Sequence, residues 1–405
     1  MQMRKIYIGI DAAKNKFDAC VRDDKNVIHP SKGYAQNLDG VDKLLGLVGD
    51  TCEALRAVPV FGIESTGTYH LFLYEELRKR GYSVRVFNPI ELNNYRKSSI
   101  RKRKTDTVDA SMIAKALAFE PSKEPVKTPP KEILELREIC RARGRLMEKA
   151  RKCKVQAGRN LDILCRGYSK VFNDAFCPSS LKLIRLCCET GEFTLPSERR
   201  IITALKLPKN SKFGVEKANR LHQIYSNTSV PDYLVQPYTI ELMFLLDQLG
   251  LLSEQLADID ETIKHRFLKL NSKITTIPGI GITTGATILS EIGCIENFNT
   301  AETLVAFAGL DPAVSQSGES DKRGLHISKR GPPTLRVALY HAAFASLVTN
   351  PVCRQFYQKQ IAKGKHFKVA MCATARKLTH IIHSVLTNDR DFYVPAYITV
   401  EAEPT

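Results

Sequence analysis

The chain has 405 residues, with 60 Lys and Arg against 43 Asp and Glu and a formal net charge of +17. That length carries two or three domains, and the cationic excess favours a polyanionic partner, nucleic acid before membrane, since no amphipathic basic helix or long apolar span is present. The 11 cysteines run from Cys20 to Cys372 with one adjacent pair, Cys187 and Cys188, and no Cys-x-x-Cys, which reads as reduced core thiols rather than structural zinc ligands. Met1 to Ile10 turns polar too soon for a signal peptide, so the protein is expected to stay inside the cell.

In chain order, Ile6, Ile8 and Ile10 alternate before Asp11, and Phe17, Ala19 and Val21 alternate after it, which predicts a β-hairpin with Asp11 at the end of its first strand. Val58, Val60, Phe61 and Ile63 predict another strand ending at Glu64. Ser65-Thr66-Gly67 then leads into a helix through Leu71, Leu73 and Leu77, with Gly81 as its cap. Ser83 to Phe87 predicts a further strand, stopped by Asn88-Pro89. Strands alternating with helices imply an α/β layer with mixed pairing, in which functional groups collect where strands end and helices begin.

The stretch RKRKTDTVDA follows. Arg101, Lys102, Arg103 and Lys104 run into Asp106 and Asp109, which open a predicted helix through Met112, Ile113 and Leu117. Three residues apart on a helix puts both carboxylates on one face. Carboxylates hold hard metal ions, and Lys and Arg hold the phosphates those ions act on. The plainer reading is a pair of helix N-terminal acids behind a solvated basic loop. Asp11 and Glu64, at predicted strand ends, can join Asp106 and Asp109 in one cleft. Four clustered carboxylates repel one another unless cations such as Mg²⁺ or Mn²⁺ neutralise them, and a pair of such ions suits phosphodiester chemistry.

Ala118 to Pro130 is proline- and lysine-rich and predicts a linker. Ile133, Leu136, Cys140, Arg143, Met147, Ala150, Lys154, Ala157, Leu161 and Leu164 then fall on heptad a and d positions. Only Arg143 and Lys154 interrupt that seam, and Leu242, Leu245, Leu249, Leu252, Leu256, Ile259, Ile263, Arg266 and Leu270 form a second such run. Two such helices predict an antiparallel coiled coil, within a subunit or between subunits. Gly167 to Pro237, between them, is mixed and polar-basic, with short helical patches such as Leu181 to Cys188 and no assignable chemistry.

Pro278-Gly279-Ile280-Gly281, between two apolar helical segments, has the pattern of a helix-hairpin-helix, whose glycines let backbone N–H groups approach DNA phosphates. An ordinary turn between helices is the plainer alternative. Ser315, Ser317 and Ser320 follow Asp311-Pro312, with Lys322, Arg323, Lys329, Arg330 and Arg336 nearby. A serine beside glycine with cations in reach is a possible nucleophile on a phosphodiester, although Ser-Gly is more often a plain loop.

GIDAAKNKFDACV, IESTGTYH and KTDTVDA, together with IPGIG, AGLDP, QSG and ISKRG, resemble in order the motifs of the DEDD-type insertion-sequence transposases, the IS-one-ten family. The resemblance implies a RuvC-like α/β domain of the RNase H fold over residues 1–125 and a helical coiled-coil and linker region over 126–270. It implies a mainly α C-terminal transposase domain with a helix-hairpin-helix over 271–405. It implies Mg²⁺ or Mn²⁺ on Asp11, Glu64, Asp106 and Asp109, and Ser317 as the nucleophile that forms a 5′-phosphoserine link and releases a 3′-hydroxyl. DNA and nucleic-acid contacts would involve Arg101, Lys102, Arg103, Lys104, Gly279, Gly281, Lys322, Arg323, Lys329, Arg330 and Arg336. The implied partners are DNA, a structured non-coding bridge RNA as guide, and further copies of the chain, a dimer or, in the active complex, a tetramer. The implied location is the cytoplasm of a prokaryotic cell, at the nucleoid and away from membranes.

The chain departs from that pattern in three places. Gln316-Ser317-Gly318-Glu319 stands where small-residue runs are usual, leaving Ser315 and Ser320 as rival nucleophiles; Pro332-Pro333 follows ISKRG; and extra length falls between Gly167 and Pro237. The competing readings are a metal-dependent junction nuclease that uses water, and a non-catalytic nucleic-acid scaffold.

Overall fold

The computed structural model describes residues 4–23, 26–64, 69–87, 92, 106–119, 127, 129–208, 212–312, 315–317, 320–322 and 326–394. The chain divides into two units, Met1–Thr128 with Glu296–Gly331, and Pro129–Ile295 with Pro332–Thr405.

In the first unit, strands β1 (Arg4–Ala12), β2 (Lys16–Arg22) and β3 (Val27–Ala35) are followed by helix α1 (Leu38–Leu55), β4 (Ala57–Glu64), α2 (His70–Lys79), β5 (Val84–Phe87) and α3 (Asp106–Phe119). The sheet order is β3-β2-β1-β4-β5, with β1 antiparallel to β2, β2 antiparallel to β3, and parallel pairing of β1 with β4 and of β4 with β5. Mixed pairing therefore holds, with β3 an addition to the expected hairpin.

Alternation along β1 explains the layering, because neighbouring side chains point to opposite faces. Ile6, Ile8 and Ile10 are fully buried in one cluster with Val41, Leu44 and Val48 of α1 and Leu73 and Leu77 of α2. Tyr7 joins the other face, with Phe87, Ile113, Ala116 and Leu117. Helix α1 starts where the Asn37 side chain accepts the Gly40 N–H, and it stops at Arg56 in the left-handed region. Gly81, just beyond α2, also has a positive φ of 84° and donates its N–H to the Arg78 carbonyl, as a helix-ending glycine does.

Two glycines set the distance between sheet and α3. A Cβ on Gly9 would lie 2.2 Å from the Ala110 carbonyl oxygen, and one on Gly62 would lie 2.7 Å from Leu117 Cδ1. Only bare backbone at these positions lets the helix lie directly on β1 and β4. The same unit holds helix α10 (Ala301–Ala308) and the hairpin β6 (Ser315–Ser317) and β7 (Ser320–Lys322).

The second unit is helical: α4 (Lys131–Leu164), α5 (Pro178–Cys187), α6 (Glu198–Ala204), α7 (Lys212–Ser226), α8 (Asp232–Leu268), α9 (Ile282–Ile292), α11 (Pro333–Thr349), α12 (Pro351–Ala362) and α13 (Phe367–Thr387). Helices α4 and α8 lie antiparallel. Arg143 pairs with Asp260, Arg266 with Glu135, and Gln156 and Asn160 both donate to Glu241. The heptad expectation fits their ends but not their middle. Met147 and Lys154 are exposed, and Cys153 is buried instead, its thiol against the Leu245 carbonyl at 3.2 Å. The departure is confined to Met147 through Lys154, since Ala157, Leu161 and Leu164 beyond it are buried again.

Gly167 to Pro237 holds more order than its composition suggests. Tyr168, Leu183, Ile184, Cys187, Phe193, Ile201, Ala218 and Leu221 close a core against α4 and α8. No helix among the described residues is long and apolar enough to cross a membrane.

Candidate functional site

Asp11 is the penultimate residue of β1, and Glu64 is the last of β4. The parallel register pairs Ile10 with Ile63, so Asp11 and Glu64 follow as neighbours on adjacent strands, about 5 Å apart by backbone spacing. Each stands two residues beyond a glycine that α3 covers, which puts both on the α3 face of the sheet. Asp109 precedes Ala110, the residue lying over Gly9, so α3 brings its first turn to the same end of β1.

Three of the four expected acids thus share one face through register and close approach. Glu64 and Asp109 are buried, at 5% and 8% exposure, and Asp11 is half-buried. Asp106 opens α3, but its side chain lies outside the described residues, as do Arg101, Lys102, Arg103 and Lys104 entirely.

A further acid sits in the same place. Asp18 pairs directly with Asp11 across β1 and β2, is 5% exposed, and is held 3.2 Å from the Lys16 ammonium. The sequence reading passed over it, although a carboxylate inside the apolar run FDACV was a visible signal. Buried carboxylates in one neighbourhood are costly without compensating cations, and their all-oxygen donor set suits a hard divalent ion. Among the described residues, however, no three His, Cys, Asp or Glu side chains stand close enough to hold an ion by themselves. The donor chemistry and backbone placement fit such an ion, with a set that Asp106 would complete.

The motifs of the C-terminal half are interlaced. Gly309 takes a positive φ of 68°, and a Cβ there would lie 2.7 Å from the Arg330 nitrogen. A Cβ on Gly331 would overlap the Phe307 carbonyl, Lys329 donates its N–H to Gly309, and Ser328 donates its backbone N–H to Asp311 at 2.8 Å and its hydroxyl to the Asp311 carboxylate. AGLDP and ISKRG therefore lock to each other, with Lys329 and Arg330 exposed on the lock.

Between them, Ser315 pairs with Lys322 and Ser317 with Ser320, so the three serines stand on one two-stranded ribbon. The side chains of these serines and of Lys322 lie outside the described residues, and Arg323 does so entirely. Helix α11 begins at Pro333, where the missing N–H costs nothing, so the proline pair starts the helix cleanly. Arg336, in its first turn, is half-buried, and desolvation pulls its guanidinium below the usual value.

At the expected helix-hairpin-helix, the element before the turn is a 3₁₀ segment, Lys273–Thr276, and the one after it is α9. Gly279 has φ +95°, and a Cβ there would lie 2.6 Å from the Ser346 nitrogen, so packing against α11 already requires this glycine. Gly281 caps α9 with open space around it.

Two family models match the chain. One, described as a transposase, covers residues 8–165; the other, described as the transposase IS116/IS110/IS902 family, covers residues 271–358. The chain is 26% identical over 396 residues to a pilin gene-inverting protein of Moraxella bovis, spanning 96% of this chain and 98% of that one. It is 33% identical over 136 residues, a third of either chain, to an uncharacterized protein of insertion element IS110 from Streptomyces coelicolor. Over 190 residues, 45% of this chain and 56% of the other, it is 28% identical to a transposase for insertion sequence element IS1328 from Yersinia enterocolitica.

Proposed function

We propose, on the premise that this chain belongs to the IS116/IS110/IS902 family of insertion-sequence transposases and acts on DNA as a transposase or recombinase, that it breaks and rejoins strands through a protein–DNA phosphoserine link. The observation that carries the metal half of this reading is the shared α3 face of Asp11, Glu64 and Asp109 on a mixed five-stranded sheet, which we read as an RNase H fold. With Asp106 these residues would hold Mg²⁺ or Mn²⁺. The bound ions would supply Lewis acidity at the phosphodiester and offset the charge of the leaving oxygen.

The chain's own groups do the rest. The Ser317 hydroxyl attacks the phosphorus; the Oγ–P bond forms as the P–O3′ bond breaks, and the hydroxyl proton ends on the released 3′-hydroxyl. Arg101, Lys102, Arg103, Lys104, Lys322, Arg323, Lys329, Arg330 and Arg336 would hold phosphates, and Gly281 leaves the α9 N-terminus open to one. We further propose that target and donor sequences are read by base pairing with a structured guide RNA, and that copies of the chain assemble through α4 and α8, one supplying acids and another the serine.

Ser317→Ala tests the serine. Loss of the covalent adduct with nucleic-acid binding retained is the expected result; an adduct that persists moves the role to Ser315 or Ser320. Cleavage that needs Asp11 but no serine at all would point to water as the nucleophile. RNA that co-purifies with the full chain and is encoded beside its gene is expected, and its absence from an active preparation would remove the guide.

A further inference from the structure

The segment between α4 and α8 carries a cavity of about 750 Å³, lined by residues that the family match leaves uncovered. Its walls come from the 3₁₀ turn Tyr168–Val171, the start of α5 and the start of α7. Three cations face it, Lys170, Lys217 and Arg220, with two aromatic rings, Phe172 and Phe213.

The Lys217 ammonium stands 4.5 Å from the Phe172 ring centre and 5.0 Å from that of Phe213, so the rings hold the charge at the cavity instead of letting it sweep through solvent. Phe213 is 59% exposed, a large ring kept in water beside fixed positive charge. Of the two acids in the lining, Asp174 is engaged already: it accepts the Phe176 N–H at 2.9 Å and lies 4.0 Å from Lys154. Residues 165–231 hold 11 Lys and Arg against 5 Asp and Glu, so the local field is cationic as well.

A flat ring beside anchored cations matches a ligand with a flat face and a phosphate, and the volume is that of a small-ligand site. We propose that this cavity seats an unpaired nucleotide of the nucleic acid the enzyme handles, its base against Phe213 and its phosphate against Lys170, Lys217 and Arg220. The proposal rests on the reading of the chain as a nucleic-acid enzyme, but not on the acids or on Ser317. Cys177 reports on the site, because it lines the cavity. Its thiol is held below the usual value: hydrogen bonds from Ser179 and from the backbone at the start of α5 outweigh a burial contribution that acts upward.

The test uses the full chain with fluorescent oligo-dT and oligo-U of about 12 nucleotides, within the site size of single-strand-binding folds, and a duplex of equal length. Phe213→Ala is expected to weaken single-strand binding by about fivefold to a hundredfold, the range for one stacked base, with little effect on the duplex; Phe213→Tyr should retain affinity. Lys217→Gln and Arg220→Gln should flatten the salt dependence. Bound oligonucleotide should slow alkylation of Cys177 by iodoacetamide. The better-bound strand, dT or U, identifies the nucleotide as DNA or RNA. Should Phe213→Ala fail to fold, the Lys217→Gln affinity and the Cys177 protection decide. Unchanged single-strand affinity in these variants, equal loss on the duplex, or no protection of Cys177 overturns the proposal. A wild-type chain that binds single strands here but never breaks DNA would fail the function reading alone, whereas a chain that breaks DNA with none of these effects would fail this proposal alone.

Discussion

The sheet layer and the helical insertion between Cys165 and Ser226 handle charge in opposite ways. At the α3 face, carboxylates go inside: Glu64, Asp109 and Asp18 are all buried, and β1 and β4 meet α3 through Gly9 and Gly62, too crowded to accept a side chain. In the insertion, the inside is thiol and aromatic, with Cys165, Tyr168 and Cys187 fully buried, while the cations stay at the cavity. An all-oxygen carboxylate set at strand ends suits a hard divalent ion; surface cations over an apolar core suit an anion.

The largest expected effect separates them by chemistry. Asp11→Asn or Asp109→Asn should lower DNA strand breakage about a hundredfold or more, since metal-assisted charge stabilisation is worth several kcal/mol. The same variants should leave the helical insertion as resistant to proteolysis as before. Comparable activity in either variant would break the contrast.

Next comes a core test. Leu183 is fully buried in the insertion, and Leu183→Ala should destabilise it by about 2–5 kcal/mol, read by hydrogen exchange across α5 to α7. Exchange in β1 and β4 should not change. Gly9→Ala acts from the other side: overpacking against Ala110 should cost about 1–3 kcal/mol in the sheet layer and lower activity by moving Asp109. Retained activity together with retained stability would show that α3 has room to give.

How much of this was legible in the sequence differs between the regions for a physical reason. The period-two runs around Ile6–Ile10 and Phe17–Val21 and the strand ends at Asp11 and Glu64 are local signals, and the register that joins them follows from those strands. Asp18 was missed because the eye follows the apolar members of FDACV, yet a strand alternates faces and its polar member lands opposite Asp11. Gly9 and Gly62 were unreadable, since closeness to α3 is a long-range fact. In the insertion, Tyr168, Leu183, Phe193, Ile201 and Leu221 come from several short elements, so no single period reveals the core. The heptad reading of α4 departs at Met147, which is exposed where an apolar seam residue was expected, while Lys154 already broke the apolar seam in the sequence.

The last effect is alkaline and confined to the insertion. Burial pushes the Cys165 thiol up to about 11 and the Cys188 thiol up to about 12, from an ordinary value of 9.0. The folded state therefore keeps protons that the unfolded chain releases. Their stabilising contribution is complete below about pH 9 and is lost as pH rises through the folded values. Hydrogen exchange should show the insertion opening as pH passes 9, and an insertion equally protected at pH 8 and pH 11 would contradict this.

The central claim is that the α3 face of the sheet gathers a divalent ion between chain segments far apart in sequence. Replacing Mg²⁺ by Fe²⁺ and adding ascorbate and peroxide cuts backbone next to the bound ion. Cleavage near Asp11, near Glu64 and near Asp106 to Asp109, all suppressed together in Asp11→Asn, is the predicted result. Cuts confined to one of these segments, or unaffected by Asp11→Asn, would contradict it.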